Sequence, residues 1–407
     1  MNKKVMILGA SKPCCSSIKK AVLEGYDVVV ADMYQNAPGF KFASKSYACD
    51  ILDKEGILTI CATECVDAIV PINDFGVPTA AYVANKLGLV GISEETALLA
   101  TNKEKMRERW LLDGISCPVV ELGTTFIEIK DAASRIGYPV VLKPAHGLGG
   151  GSRGVIVVFS EDELKDAVSF SQSFYDDKCT LIESYIDAVV EHSIDAIIHD
   201  GSINILAVSD KICEEFPYRI SKCISYPTST KGKMLDDIYQ LVINSINSLG
   251  VNVGCAHVEL AETRKGDLVM FELGARSGGG ATPHPIISYT TGIDVISEYI
   301  RVMCGEEPRC LVNTMNRASC YYFLTPNPGK LRSVQGVEEV RQMNGVLEVD
   351  ILVESGQEIM PMKEAKNRSG YIVTGSKTVA RAVELAKEAE KKIVFLYEET
   401  EKGSVFK

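Results

Sequence analysis

No stretch of this sequence approaches the roughly 18 consecutive apolar residues that a membrane-crossing helix needs, so no membrane partner is expected. The opening "MNKKVMILGA" is a Lys-flanked strand running into a turn, and its apolar run is too short for a secretory signal. There is no C-x-x-C and no zinc-type spacing among the 13 cysteines. An odd number of scattered cysteines reads as free thiols in a reducing compartment, and the expected location is cytoplasmic. The Walker spelling G-x-x-x-x-G-K-[ST] is missing, as is any Ser/His/Asp or Cys/His arrangement for nucleophilic catalysis. The five histidines show no ligand spacing. Positive charge is in deficit, giving a net charge of −11. Such a surface repels phosphate backbones, so no nucleic-acid partner is expected. Anionic substrates must then be drawn in by local lysines and arginines. What is present is ordinary globular material, 46% hydrophobic and 24% charged. At roughly 150 residues per domain, 407 residues suggest two or three domains.

Along the chain, "KKVMILGAS", "CSSIKKAVLEGY" and "DVVVADM" read as strand, helix and strand, the βαβ opening of a parallel α/β sheet. "VDAIVPIND" is a further strand and "GVPTAAYVANKLG" a helix ending in glycine. "EETALLATNKEKMRERWLLDGI" is helical material. Residues 1–100 are therefore expected to form one open α/β domain. From Val119 the texture changes. "PVVLKPA", "GVIVVFS", "CTLIESYI", "SIDAIIHDG" and "SINILAVSD" read as strands with short connections. "SEDELKDAVSFSQSF" reads as a helix, with Ser160 at its N-cap and Glu163 three residues on. "CAHVELAET" and "LVMFELGAR" bracket a turn at Gly266-Asp267 and read as an antiparallel hairpin. A third region begins near Glu306, with the strands "ASCYYFLTP", "GVLEVDILV" and "GYIVTGS" and the helix "KTVARAVELAKEAEKK".

"GGGSRG", Gly149 to Gly154, spells the G-x-G-x-x-G of dinucleotide-binding enzymes. That fingerprint requires a helix after the glycines. Here "VIVVF" follows, β-branched and continuous, which is strand material. The context is strand–loop–strand, which argues against a nicotinamide oxidoreductase. What remains is a Gly-rich hairpin with Lys143 at the end of the incoming strand. Its glycines would let backbone N–H groups approach phosphate oxygens, with the lysine adding a point charge. A surface hairpin without a ligand is the competing reading.

Glu259 in "HVELAE" and Glu272 in "MFELGAR" lie on the two strands expected to pair. Each stands between apolar neighbours, so the two carboxylates share a face. Facing carboxylates repel, and a hard cation relieves the cost; Mg²⁺ takes one or two carboxylates plus phosphate oxygens. Solvated glutamates on an exposed sheet face are the alternative. Arg276 follows Glu272 by four residues, where a guanidinium could stabilise charge on a transferring phosphoryl group. A surface arginine is the alternative there. For His257, two residues from Glu259, a satisfied buried imidazole is the simpler reading.

The ordered set "TNKEKMRE", "PVVLKPAHGLGGGSRGV", "LIESYI", "EHSIDA", "HVELAE" and "FELGARSGGG" resembles the ATP-grasp superfamily over about residues 1–305. In spelling it is most similar to L-amino-acid ligases, with biotin-carboxylase-like and carbamoyl-phosphate-synthetase-like relatives. The tail resembles the C-terminal part of such enzymes. The resemblance implies an N-terminal open-sheet α/β domain (1–100), an α+β ATP-grasp domain (101–305) and a small C-terminal α+β domain (306–407). It implies that Lys103 and Lys143 contact ATP phosphates, and that the loop Gly147 to Gly154, with Gly149, Gly150, Gly151 and Ser152 on the nucleotide, is a mobile flap over them. Glu183, Tyr185 and Ile186 match the adenine hinge and Glu191 the ribose-binding acid. Lys211 matches a further nucleotide contact. Glu259 and Glu272 match the magnesium-binding pair, with Mn²⁺ as an alternative ion, and Arg276 matches the catalytic arginine. One position departs: Gly274 stands where many ATP-grasp enzymes carry a metal-binding Asn. "GARSGGGATPHPI" resembles a substrate-pocket loop.

The function implied is an ADP-forming ligase that activates a small carboxylate as an acyl phosphate and couples it to an amine. Its partners would be those small molecules, and a homodimer is open. The other readings are a phosphoribosylamine–glycine ligase-like or biotin-carboxylase-like enzyme, and a non-catalytic ATP-binding regulatory module.

Overall fold

The computed structural model of the protein describes residues 3–145 and 151–398. Strands β1 (Lys4–Leu8), β2 (Asp27–Asp32), β3 (Lys45–Ala48) and β4 (Ala68–Pro71) form a parallel sheet in the order β3-β2-β1-β4. β1 and β2 are apolar throughout their interiors because both faces of the sheet are covered. Val5 and Ile7 pack on the side of helix α1 (Cys15–Leu23). Met6 and Leu8 pack on the side of α2 (Lys54–Glu64) and α3 (Val77–Leu87). The sequence pattern reveals β1, α1, β2, β4 and α3 but not β3 or α2. β3 is a mostly exposed edge strand, and the buried stripe of α2 ends in a glutamate, Glu64.

The single helical stretch expected after residue 93 is two helices, α4 (Glu94–Thr101) and α5 (Lys103–Leu112). They break at Asn102, whose side chain accepts from the Lys105 N–H and caps the second helix. That cap places Lys103 at the first position of α5.

β5 (Val120–Gly123), β6 (Val140–Pro144), β7 (Ile156–Val158) and β8 (Thr180–Ser184) form an antiparallel sheet, order β5-β8-β6-β7. Its apolar face packs against α6 (Phe126–Ile136) and α7 (Glu161–Gln172). β6 pairs with β7, Val140 opposite Val158, so a strand and not a helix follows Gly154. The dinucleotide fingerprint is thereby excluded. The cap of α7 is half as expected. Ser160 has an extended backbone but makes no side-chain capping bond. Glu163 instead accepts from the N–H of Phe159, at 2.8 Å.

β9 (Ala188–His199), β10 (Ser202–Val208), β11 (Asp210–Cys213), β12 (Ser221–Tyr226), β13 (Gly254–Thr263) and β14 (Leu268–Gly274) belong to a second, larger antiparallel sheet. α8 (Lys233–Leu249) covers one side of it. There Val258, Leu260, Met270 and Leu273 pack with Trp110 of α5 and with Val242 and Ile246 of α8. The C-terminal strands are β15 (Ala318–Leu324), β16 (Gly329–Gln335), β17 (Val346–Ile351), β18 (Glu358–Ile359), β19 (Gly370–Ser376) and β20 (Val394–Tyr397). Three of them, β15, β19 and β17, extend the large sheet, whose order is β14-β13-β9-β11-β12-β15-β19-β17 with β10 on β9. The third region read from the sequence thus shares a sheet with the second.

Candidate active site

The hairpin of β13 and β14 brings Glu259 directly opposite Glu272. The alternation that buries Val258 and Leu260 turns His257 and Glu259 to the other face. That face lines a cavity of ≈ 1420 Å³ between the two antiparallel sheets. β6 and β8 supply Lys143 and Glu183, followed by Tyr185 and Ile186. β9 supplies Glu191, β11 Lys211, the start of α5 Lys103, and the turn after β14 Arg276. Gly151 and Ser152 also line it, whereas Gly149 and Gly150 lie outside the described residues.

On the phosphate side of the cavity the cations named above rest on carboxylates. Lys103 Nζ is 2.9 Å from Glu272 Oε1, and Lys211 Nζ is 3.0 Å from Glu259 Oε2. Arg219 reaches Glu191 at 2.7 Å. Arg276 forms a two-pronged pair with Asp74, at 3.0 and 2.9 Å. Glu183 is held twice: Arg107 donates to Oε1 at 3.1 Å and Lys143 binds Oε2. Both oxygens of Glu183 are therefore engaged, and its neighbour Tyr185 gives its N–H to the Pro139 carbonyl.

These pairings set the charge states. Burial alone would raise the Glu259 carboxyl, but the Lys211 ammonium and His257 hold it well below the usual carboxylate range. Burial would lower Lys211, and Glu259 and Glu191 reverse that and raise it. At Glu183 burial again opposes ionisation, and Lys143 with Arg107 outweighs it, so its pKa is lowered. Lys143 is lowered too, by burial first and by the Arg107 charge, although Glu183 works the other way.

Four residues of the site are not singled out by their sequence context. Arg107 is wholly buried and also donates to the Phe271 carbonyl on β14, tying α5 to the hairpin. Nothing distinguishes it from the other charges of "KEKMRERW". Asp74 does carry a signal, because it follows the C-terminal end of parallel strand β4, the edge where α/β sheets bind ligands. Arg219 lies in the irregular run between β11 and β12. Asp195 is buried on β9 and accepts from His257 Nδ1 at 3.1 Å and from the Gly278 N–H at 2.9 Å. His257 is therefore satisfied, as expected, but it also lines the cavity, and the Asp195 carboxylate pushes its pKa up to about 9 against the effect of burial.

Gly274 has a steric reason. A Cβ there would lie 2.7 Å from Asp74 Oδ1 and 3.2 Å from the Arg276 guanidinium. The absent side chain makes room for the Asp74–Arg276 pair. Among the described residues no group of three or more His, Cys, Asp or Glu could hold a metal by itself. Two facing carboxylates remain, a donor set that fits Mg²⁺ shared with phosphate oxygens.

The fold and cavity define an ATP-dependent enzyme of the ATP-grasp class. Residues 105–310 match the family described as carbamoyl-phosphate synthase L chain, ATP binding domain, and the chain belongs to that family. Residues 322–398 match L-amino acid ligase C-terminal domain 2. Among characterised relatives, the L-arginine-specific L-amino acid ligase of Bacillus subtilis is 24% identical over 293 residues, covering 71% of this chain and 70% of that one. The L-amino acid ligase of Bacillus licheniformis shares the fold with a TM-score of 0.84, at 22% identity over 98% of this chain and 99% of that one. The biotin carboxylase domain dimer of Hydrogenobacter thermophilus 2-oxoglutarate carboxylase, in complex with MgADP, ADP and bicarbonate, aligns with a TM-score of 0.75. It is 20% identical, covering 97% of this chain and 91% of that one. No helix among the described residues is long and apolar enough to cross a membrane. All 13 cysteines are free thiols.

Proposed function

We propose that this protein is an ADP-forming ligase that joins an amino acid, through its carboxylate, to the amine of a second substrate. The observation that carries the reading is the opposed pair Glu259 and Glu272, each with its own lysine, in one cavity with Arg276. The match of the C-terminal residues to an L-amino acid ligase domain favours this substrate class over the purine-pathway and biotin-carboxylase-like readings.

Glu259 and Glu272 would hold Mg²⁺. The ion would screen the phosphate charge during transfer. Lys103 and Lys211 would then exchange their carboxylates for phosphate oxygens, and Lys143 would leave Glu183 in the same way. Arg107 stays with Glu183, so that carboxylate remains paired. Glu191, paired with Arg219 here, would accept from the ribose, and the backbone at Tyr185 and Ile186 would border the adenine. An oxygen of the substrate carboxylate attacks the γ-phosphorus in line and ADP departs, leaving an acyl phosphate. The amine nitrogen attacks the acyl carbon, inorganic phosphate leaves, and an N–H proton passes to solvent. Arg276, anchored by Asp74, faces the charge that develops on the transferred group. No nucleophile of the chain is used; rate comes from positioning and charge compensation. Water must be excluded while the acyl phosphate persists, a role for the loop containing Gly149, Gly150, Gly151 and Ser152.

The test is ADP and phosphate release from Mg-ATP with amino acids and small carboxylates, offered singly and in pairs. Release that requires both a carboxylate and an amine is expected. Nucleotide binding with no substrate-dependent release would return the chain to the regulatory-module reading.

A further inference from the structure

The cavity does not end at the phosphate side. In the large sheet β13 and β15 are separated by β9, β11 and β12, and the cavity follows the sheet across to β15 and β19. There its wall is aromatic: Tyr321 and Phe323 on β15, with ring centroids 4.3 Å apart, and Tyr371 on β19, 5.3 Å from Tyr321. Among these rings stands Arg368, in the segment leading into β19. Its guanidinium lies 3.4 Å from the Phe323 ring centroid. One N–H is given to the Ser221 carbonyl, at 2.8 Å.

Arg368 differs from Arg219 and Arg276, which also line the cavity. Each of those two rests on a carboxylate. Arg368 has no carboxylate within ion-pair distance among the described residues, and its buried Nε–H has no hydrogen-bond partner there. Burial pushes its pKa down to about 10. A guanidinium so placed costs desolvation without a compensating anion, and an orphaned buried donor calls for a partner. The planar fork of an arginine fits a carboxylate. The ring beneath it fixes the plane, and the Ser221 carbonyl fixes the rotation.

We propose that Arg368 anchors the carboxylate that an amino-acid amine donor carries. The inference rests on the ligase reading above and adds to it a binding subsite for the donor. Two arguments separate this carboxylate from the reacting one. The reacting carboxylate must meet the γ-phosphate beside Glu259, Glu272 and Arg276, which lie on β13, β14 and the turn beyond. And a fork is well spent on a group that keeps its charge through the reaction, which the donor's carboxylate does and the phosphorylated one does not. The same segment carries a second contact: the Ala365 N–H donates to the Gly151 carbonyl at 2.8 Å. A donor seated on Arg368 would thus steady the stretch that holds one end of the glycine loop.

The experiment compares the wild type with Arg368→Gln and Arg368→Lys. Each is given a donor amino acid, its α-carboxamide, or hydroxylamine, which replaces the donor and traps the acyl phosphate as a hydroxamate. Removing a charged hydrogen-bond partner should raise KM for the donor amino acid by roughly tenfold to hundredfold. KM for the carboxamide, and the rate of hydroxamate formation, should stay within about twofold. Arg368→Lys should fall between. Equal losses for acid and amide donors would overturn the proposal by making Arg368 a merely structural residue. Loss of hydroxamate formation would overturn it by assigning Arg368 to the reacting carboxylate. A wild type that forms no hydroxamate from any carboxylate would instead overturn the ligase reading itself, before any variant is compared.

Discussion

Glu183 and Glu64 are built alike and serve different ends. Each is a glutamate with side-chain exposure of only 3–4%, and each is gripped by two cations from other elements. Glu183 takes Arg107 and Lys143; Glu64, at the end of α2, takes Lys4 at 3.1 Å and Lys45 at 2.7 Å, with a further hydrogen bond from the Tyr47 hydroxyl. In both, the positive partners hold the carboxyl below its ordinary value, Glu64 at about 2. The difference lies in what the cations face. Lys4 and Lys45 sit on β1 and β3, so their pairing clips α2 to two strands of the parallel sheet. At Glu183 only Arg107 is enclosed, while Lys143 lines the cavity. One carboxylate with two cations is a clip where neither cation can leave. It becomes a seat for a mobile charge where one of them borders a ligand cavity.

The comparison breaks most severely at Arg107. Its removal leaves Glu183 with one cation and takes the guanidinium donor from the Phe271 carbonyl. Breaking a buried pair by deleting one member costs about 3–5 kcal/mol. Arg107→Ala should lose that much in urea unfolding, with activity falling as the hairpin loosens. A loss below about 1 kcal/mol would mean that Lys143 alone suffices to hold Glu183. Lys143→Ala divides stability from catalysis. We expect about 2–4 kcal/mol of lost transition-state stabilisation, a rate lower by about 10²–10³, with urea unfolding close to wild type because Arg107 still pairs Glu183. A near-wild-type rate of ADP formation would remove Lys143 from the phosphate site. Glu272→Gln is milder. It should raise the Mg²⁺ concentration for half-maximal ADP formation by roughly tenfold to hundredfold, the scale on which altered support of a bound metal shows. An unchanged titration would count against the facing-glutamate pair as its ligands.

How legible these residues are in the sequence follows from how local their geometry is. Glu259 and Glu272 can be read because strand alternation and one hairpin determine that they face each other, within 13 residues of chain. Lys143 and the loop after it can be read because the β-branched run after Gly154 already excludes a helix. Asp74 and Arg276, 202 residues apart, cannot be paired from sequence, since the contact is made only when the N-terminal sheet docks on the turn after β14. Arg107 and Glu183 meet across 76 residues for the same reason. The third region was legible as strands and helix, but its joining of the large sheet through Ile224 and Tyr321 was not. Pairing partners among antiparallel strands are chosen by packing of whole surfaces, which leaves little mark on either strand alone.

The smallest expected effect lies at Glu64, and it appears with pH. The folded carboxyl titrates at about 2, and an unfolded glutamate near ~4.3. The ion pairs therefore contribute their full stabilisation above ~4.3, and this is lost progressively as the pH falls towards 2. Glu64→Gln removes that dependence. Lys4 keeps a second carboxylate, Asp27 at 3.7 Å, so the sheet retains part of the clip at neutral pH. The variant should unfold at slightly lower urea than the wild type at pH 7, and the two should converge as the pH drops from 5 to 3. ADP formation at saturating substrate should be unchanged, because no atom of this cluster borders the cavity. Parallel pH profiles would show that Glu64 is held no more tightly in the fold than in the unfolded chain. A fall in ADP formation would show that the clip and the cavity are coupled, and the division drawn between the two glutamates would fail.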